Sequence, residues 1–309
     1  MNSRSGRGFT LVELLVVLGI IGLLLALSLA AVSVAGRAAR QSEASSNVRQ
    51  LGLAWEQYSV DHLDRFVPGF ITPEAQSWHK LYLAYPDMRP IPPAPTFSTA
   101  EPNIAGPWTW HLVPYLDQDL TLLRSASLNP DAPYSDDVDI AQEIAYEPAY
   151  AYNGWYVGGH IRIEPDRPNP TPAFVKARLG VRQYANLVVD SRSRFRRPSE
   201  VIVFTQGHRF EEPGSVRMDS TEFNPWFEVT PRFLADEEQW SAPVPGQIQG
   251  MSAGAAAPTG RGTDKAPVYH GDGHTKALGI ESFGDQSKWI DGAREINEIP
   301  TRDFTHEAE

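Results

Sequence analysis

The chain has 309 residues, enough for one large or two small domains, and its ordinary apolar fraction of 41% is sufficient for most of it to fold. A formal charge of −11 disfavours a nucleic-acid partner or an anionic membrane surface, because phosphates would be repelled rather than held by counterion release. Without any cysteine, disulfide staples, thiolate zinc sites and cysteine nucleophiles are excluded.

The chain opens on a short polar and basic stretch, MNSRSGRG, with Arg4 and Arg7. From Leu14 to Gly36 there follow 23 uncharged residues, which at about 1.5 Å per helical residue span a hydrocarbon core of roughly 30 Å. The segment is predicted to be a transmembrane helix. A secretory signal would have a shorter apolar region with a small-residue cleavage site behind it, and no such site precedes Arg37 and Arg40. Two arginines flank the helix on each side, so charge alone does not set its orientation. Glu13 is a lone carboxylate near the start of this apolar helix; burying it unpaired in lipid costs about 2.5–3.5 kcal/mol, so a partner is expected. Gly22, Ala26 and Ala30 recur every four residues, a spacing that lets helices approach closely and is also common in such helices generally.

The string RGFTLVELLVVLGIIGLLLALSLAAV resembles the prepilin signature shared by type IV pilins and the pseudopilins of type II secretion. The resemblance implies a leader of residues 1–8, cut off between Gly8 and Phe9 by a prepilin peptidase on the cytoplasmic side, with methylation of the new N-terminus at Phe9. It implies a single-pass inner-membrane protein with its head in the periplasm. It also implies other pilin-like subunits as partners, assembled through the helix into a periplasmic or surface filament, with Glu13 paired to the N-terminal amine of the neighbouring subunit. A plain signal anchor is the alternative. The proline that the family usually carries part-way along this helix is absent, so a break there would need another cause, such as Gly19 and Gly22.

Beyond the membrane, Ala44, Val48, Leu51, Trp55, Tyr58 and His62 follow alternating steps of four and three, one apolar stripe on a continuing helix that is predicted to end near Asp64. The stripe lasts under three heptads, so packing against the protein's own sheet is favoured over a coiled coil. None of the 26 prolines precedes Pro68, which divides the chain into a spine helix of residues 9–65, transmembrane over 14–36, and a globular head of residues 66–309. Within the head, Asn186 to Val189, Glu200 to Thr205 and Val268 to Ile280 read as strands of a mainly antiparallel sheet. Ile91 to Pro95, Pro165 to Pro172 and Val244 to Gly262 read as surface loops, and most of the head's seven tryptophans as core. The predicted fold class is α+β and pilin-like: a long N-terminal helix, half transmembrane and half amphipathic, packed on an antiparallel β head with long loops.

The segments NVRQLGLAWEQY, WTWHLVPYLDQDL, YAYNGW, RRPSEVIVFTQG and YHGDGHTKAL resemble one pilin-like group, whose head is a domain of unknown function (DUF1559-like) with an H-X9-DG signature. Its histidine about ten residues before the aspartate-glycine pair is missing here, where position 262 is Gly. The group's biochemical role is itself unassigned.

HGDGH, His270 to His274, brings two imidazoles and a carboxylate within five residues, a plausible metal set. Asp272 and Gly273 between apolar runs instead signal a structural hairpin with a two-residue type I′ turn. In that register Gly271 pairs with His274 and His270 with Thr275, which sends the histidines to opposite faces, away from any shared ion. The acidic stretch Asp131 to Glu147 raises calcium, but lacks the twelve-residue EF-hand pattern and reads as a solvated loop. His208, with Glu211 and Glu212, is similarly bland. No G-x-S-x-G, Walker loop or dinucleotide fingerprint occurs in the head, so neither a catalytic residue nor a cofactor other than calcium is indicated. The expected function is a non-enzymatic structural subunit of a type IV pilus or type II secretion-like filament. The alternative is an anchored or filament-displayed binding module that recognises a polysaccharide, surface or secreted substrate through exposed aromatics.

Overall fold

A computed structural model of the chain describes residues 10–72, 75, 83–84, 90–91, 106–117, 120–123, 145–163, 172–175, 177–180, 183–209, 214–217, 226–229, 247–250, 256–260, 263–279 and 282–292. The first element, α1, spans Leu11–Asp61 and stays helical through Gly19 and Gly22. It stops three residues before the predicted Asp64. Leu63 and Asp64 adopt positive φ, 55° and 74°, and the Asp64 amide closes onto the Ser59 carbonyl, which takes the chain out of the helix.

Two compact units divide the chain, Met1–Glu43 and Ala44–Glu309. In the first, the large apolar side chains of α1 from Leu11 to Val34 are exposed, and the helix is long and apolar enough to cross a membrane.

The second unit holds the core, and the amphipathic half of α1 belongs to it. Ala44, Val48, Leu51, Trp55 and Tyr58 are buried and His62 is half-buried, so the stripe of four-and-three spacing is the packed face. Trp55 stacks on Phe66 at 4.3 Å, and its Nε1 donates to the Tyr152 hydroxyl at 3.1 Å. The head holds two four-stranded sheets. The first runs in the order Gly106–Pro107, Phe70–Ile71, His160–Ile163, Pro172–Phe174, antiparallel except for the parallel pairing of Phe70–Ile71 with His160–Ile163. The second, in the order Thr275–Gly279, Lys265–His270, Ile202–Thr205, Ala151–Tyr152, is antiparallel throughout. Together with further two-stranded antiparallel ribbons this is the α+β arrangement of a long helix on an antiparallel-rich head.

One hydrophobic cluster gathers Leu51, Trp55 and Tyr58 with Trp108, Leu112 and Val113, Tyr150 and Tyr152, Val201, Val203 and Phe204, and Tyr269. These residues come from the five segments that carried the head resemblance, so in the fold those segments pack against one another.

Several details depart from expectation. Asn186 to Val189 is not a strand: the Asn186 side chain accepts the Val188 amide at 3.1 Å, a local turn that diverts the backbone, and only Val189 makes an isolated bridge, to Val157. The stretch Val244 to Gly262 contains two strands, Gln247–Gly250 paired with Gly214–Arg217 and Ala256–Pro258 paired with Gly207–Arg209. Both lie in two-stranded ribbons, where proline and glycine are tolerated because one edge needs no ladder. Among the described head tryptophans, Trp108 and Trp289 are fully buried, whereas Trp110, Trp155 and Trp226 are half-buried.

Candidate functional site

Gly8 and Phe9 lie outside the described residues. Immediately after them the start of α1 is built by Thr10 and Glu13. The Thr10 amide and hydroxyl both donate to Glu13 Oε2 at 2.8 Å, and the Glu13 amide donates to Thr10 Oγ1 at 3.2 Å. This reciprocal pattern is a capping box, in which an N-cap Thr and the Glu three residues on satisfy each other's orphan amides. The carboxylate for which a partner is expected thus has one in its own chain. The signal, T-x-x-E before an apolar run, is legible in the sequence. Further along, a Cβ added at Gly19 or Gly22 would meet nothing within 4 Å among the described residues.

The HGDGH hairpin forms, but with a different turn. Tyr269, not His270, stands opposite Thr275. The His270 amide donates to the His274 carbonyl at 3.0 Å, and the Gly273 amide donates to the His270 carbonyl at 3.0 Å. Gly271, Asp272 and Gly273 therefore make a three-residue loop, a type I turn closed by Gly273 at φ +93°, the left-handed bulge position. Asp272 favours it by accepting the His274 amide at 3.2 Å, and the other loop amides are held from outside, Gly271 to Val201 O and Asp272 to Pro198 O, both at 3.2 Å.

A one-residue change of register moves side chains across the sheet. His270 and His274 consequently face each other on one side, with rings stacked at 4.2 Å and 8°, instead of pointing to opposite faces. Parallel stacked rings direct their lone pairs side by side and not to a common point, so this pose does not chelate one ion. No group of three or more His, Asp or Glu among the described residues is placed to hold a metal. His274 Nδ1 lies 2.6 Å from the Asp272 carboxylate. Burial acts to raise the Asp272 carboxyl, but the hydrogen bonds from His274 outweigh it and hold it below its ordinary value. His270, 4% exposed, is pushed down to about 4 by burial first and then by the facing His274 ring and Lys288, against the opposing pull of Asp272.

The hairpin is tied to α1 through residues that sequence reading did not single out. Tyr269 Oη donates to Glu56 Oε1 at 2.7 Å, and Glu56 in turn faces Arg192 at 3.7 Å. Asp291 accepts the Arg196 and Arg197 amides at 2.7–3.0 Å and fixes the segment on which the hairpin tip rests. A nearly buried His160–Glu228 contact of 3.5 Å, with Trp155 over the imidazole, lies elsewhere in the head. Each of these pairs is separated by 68 residues or more in the chain, or by a change of element, so no local pattern announces it. Of the acidic stretch, Asp131, Asp136, Asp137, Asp139 and Glu143 lie outside the described residues, as do Glu211 and Glu212 beside His208.

Residues 3–29 match the family model of the prokaryotic N-terminal methylation motif. No curated protein and no solved structure matches the chain. The motif supports a pilin-like protein, anchored by its N-terminal helix and structural rather than enzymatic in character. It ends at residue 29 and does not reach the head.

Proposed function

We propose that this chain is a pilin or pseudopilin, a structural subunit of a type IV pilus or type II secretion-like filament, with a DUF1559-like head. In this reading residues 1–8 are the leader, residues 9–65 the spine and residues 66–309 the periplasmic or surface head. A prepilin peptidase cleaves between Gly8 and Phe9 and methylates Phe9, and other subunits join through the helix with Glu13 paired between neighbours. The observation that carries the reading is the methylation motif over residues 3–29, set on a helix whose apolar side chains are exposed from Leu11 to Val34. No cofactor and no catalytic residue is needed for this role.

Intact-mass analysis tests it. Mature protein should begin at methylated Phe9, and Gly8→Trp should leave the full-length precursor in the membrane. A mature chain starting elsewhere, or normal processing of the variant, would refute the reading. Assembly is a separate arm: Glu13→Ala should insert well yet be missing from sheared filaments, and equal recovery would remove Glu13 from the subunit contact.

A further inference from the structure

The tip of the Lys265–Gly279 hairpin is clamped from two sides. On one side the Gly271 and Asp272 amides donate to Val201 O and Pro198 O, and the Phe195 ring lies so close to Gly271 that a Cβ there would sit 2.3 Å from it. On the other, Tyr269 bonds Glu56 of α1, which faces Arg192. Between the two clamps stand the stacked imidazoles of His270 and His274, 4.2 Å apart.

Neutral rings at that spacing attract, and two imidazolium cations at that spacing repel. His274 is exposed, and its Nδ1 lies 2.6 Å from the Asp272 carboxylate. Nothing comparable stands beside His270. His270 is buried, and its Nδ1 has no hydrogen-bond partner among the described residues. The charged groups that face it are His274 on the opposite strand, Lys288 from the turn beyond the hairpin and Asp272 in the loop, with a backbone hydrogen bond to Glu200. His274 and Lys288 disfavour a cation there, Asp272 and the Glu200 hydrogen bond favour it, and burial turns the balance against it.

We propose that the His270–His274 pair is an acid-operated latch, in which protonation of His270 releases the hairpin tip from α1 and from the 195–201 segment while the strands below stay paired. Above about pH 6.5, where a solvent-exposed histidine is neutral, the closed tip has its full stability. The opened tip takes up its proton first as pH falls, because burial holds the closed His270 down to about 4. Stability of the closed tip is therefore lost progressively from about pH 6.5 to about pH 4, and the opening equilibrium moves by on the order of 100-fold.

Hydrogen exchange on the full-length chain in detergent micelles, corrected for the intrinsic rate at each pH, reads this directly. Peptides covering residues 268–274 should lose protection on the order of 100-fold between pH 7 and pH 4, while those covering 202–205 keep theirs. His270→Gln, which cannot take the proton, should hold tip protection level across the window. His274→Gln removes the facing ring that lowers His270, so the fall should persist but be smaller, with its midpoint moved upward. Should His270→Gln fail to fold, the His270 ring-proton resonance decides: a midpoint well below 6.5 in the wild type that rises in His274→Gln supports the latch. An ordinary midpoint in the wild type, tip protection independent of pH, or a fall that survives in His270→Gln would each overturn it, the last by assigning the acid response to neighbouring carboxylates.

Discussion

Gly52 is bare because Tyr269 occupies the space its side chain would fill: a Cβ there would lie 2.1 Å from the ring, and the ring itself is fully buried. Two effects oppose each other in Gly52→Ala. Alanine favours the helix by about 1 kcal/mol, whereas forcing extra volume into a packed core costs about 1–3 kcal/mol. Because the displaced ring would also lose its bond to Glu56, packing should win, and urea denaturation should show a net loss of about 1–2 kcal/mol. A stabilised variant would show that Tyr269 can swing aside without penalty. Gly273 is constrained differently, by a φ of +93° that a β-branched residue adopts only with strain. Gly273→Val should therefore cost about 1–3 kcal/mol in the same assay, and an unchanged midpoint would mean that the turn can be rebuilt.

At the scale of the element, the Glu13 carboxylate has a local use in the structure and a second one in the proposed filament. The Thr10–Glu13 box satisfies amides at the helix start, a task that Gln performs as well as Glu, whereas pairing with a neighbour's amine requires the charge. Glu13→Gln should separate the two. Exchange protection of the first-turn amides should stay near wild type while filament incorporation falls, and Thr10→Val should do the reverse to the amides, costing about 1 kcal/mol at the helix start. Loss of first-turn protection in Glu13→Gln would show that the box depends on charge. The hairpin carries a complementary lesson. The D-G pair marked a turn between the right two strands, but the docking of Gly271 and Asp272 onto Val201 and Pro198, 70 or more residues away in the chain, accompanies the longer loop and brings the histidines together.

For the whole molecule, the boundary drawn by proline content and the boundary drawn by packing are different. Prolines begin at Pro68, but the compact unit begins at Ala44, because Val48, Leu51, Trp55 and Tyr58 are each fully buried in the head's core. Burying one large apolar side chain is worth about 1.5–3 kcal/mol, so removing four takes away roughly 6–12 kcal/mol, as much as the whole stability of a typical domain. A soluble chain of residues 44–309 should show a cooperative thermal transition and near-ultraviolet dichroism, and one of residues 66–309 should show neither. Cooperative folding of the shorter chain would mean that the head holds together without the spine.

Sequence by itself determined what depends on neighbours along the chain. A helix long and apolar enough to cross a membrane follows from 23 uncharged residues, the packed face of the second half of α1 from side chains three and four apart, and the methylation motif from a contiguous string. The hairpin's existence belongs here too, since turn residues between apolar runs act locally. Tertiary structure decided what depends on distant contacts: the loop length of that hairpin, the face on which His270 and His274 meet, the Tyr269–Glu56 tie across 213 residues, and the strands in a proline-rich stretch that reads as loop. The physical reason is the same in each case. Side-chain periodicity sets which face of an element is apolar, but a register or a buried polar contact is chosen only when another element presents the atoms that complete it.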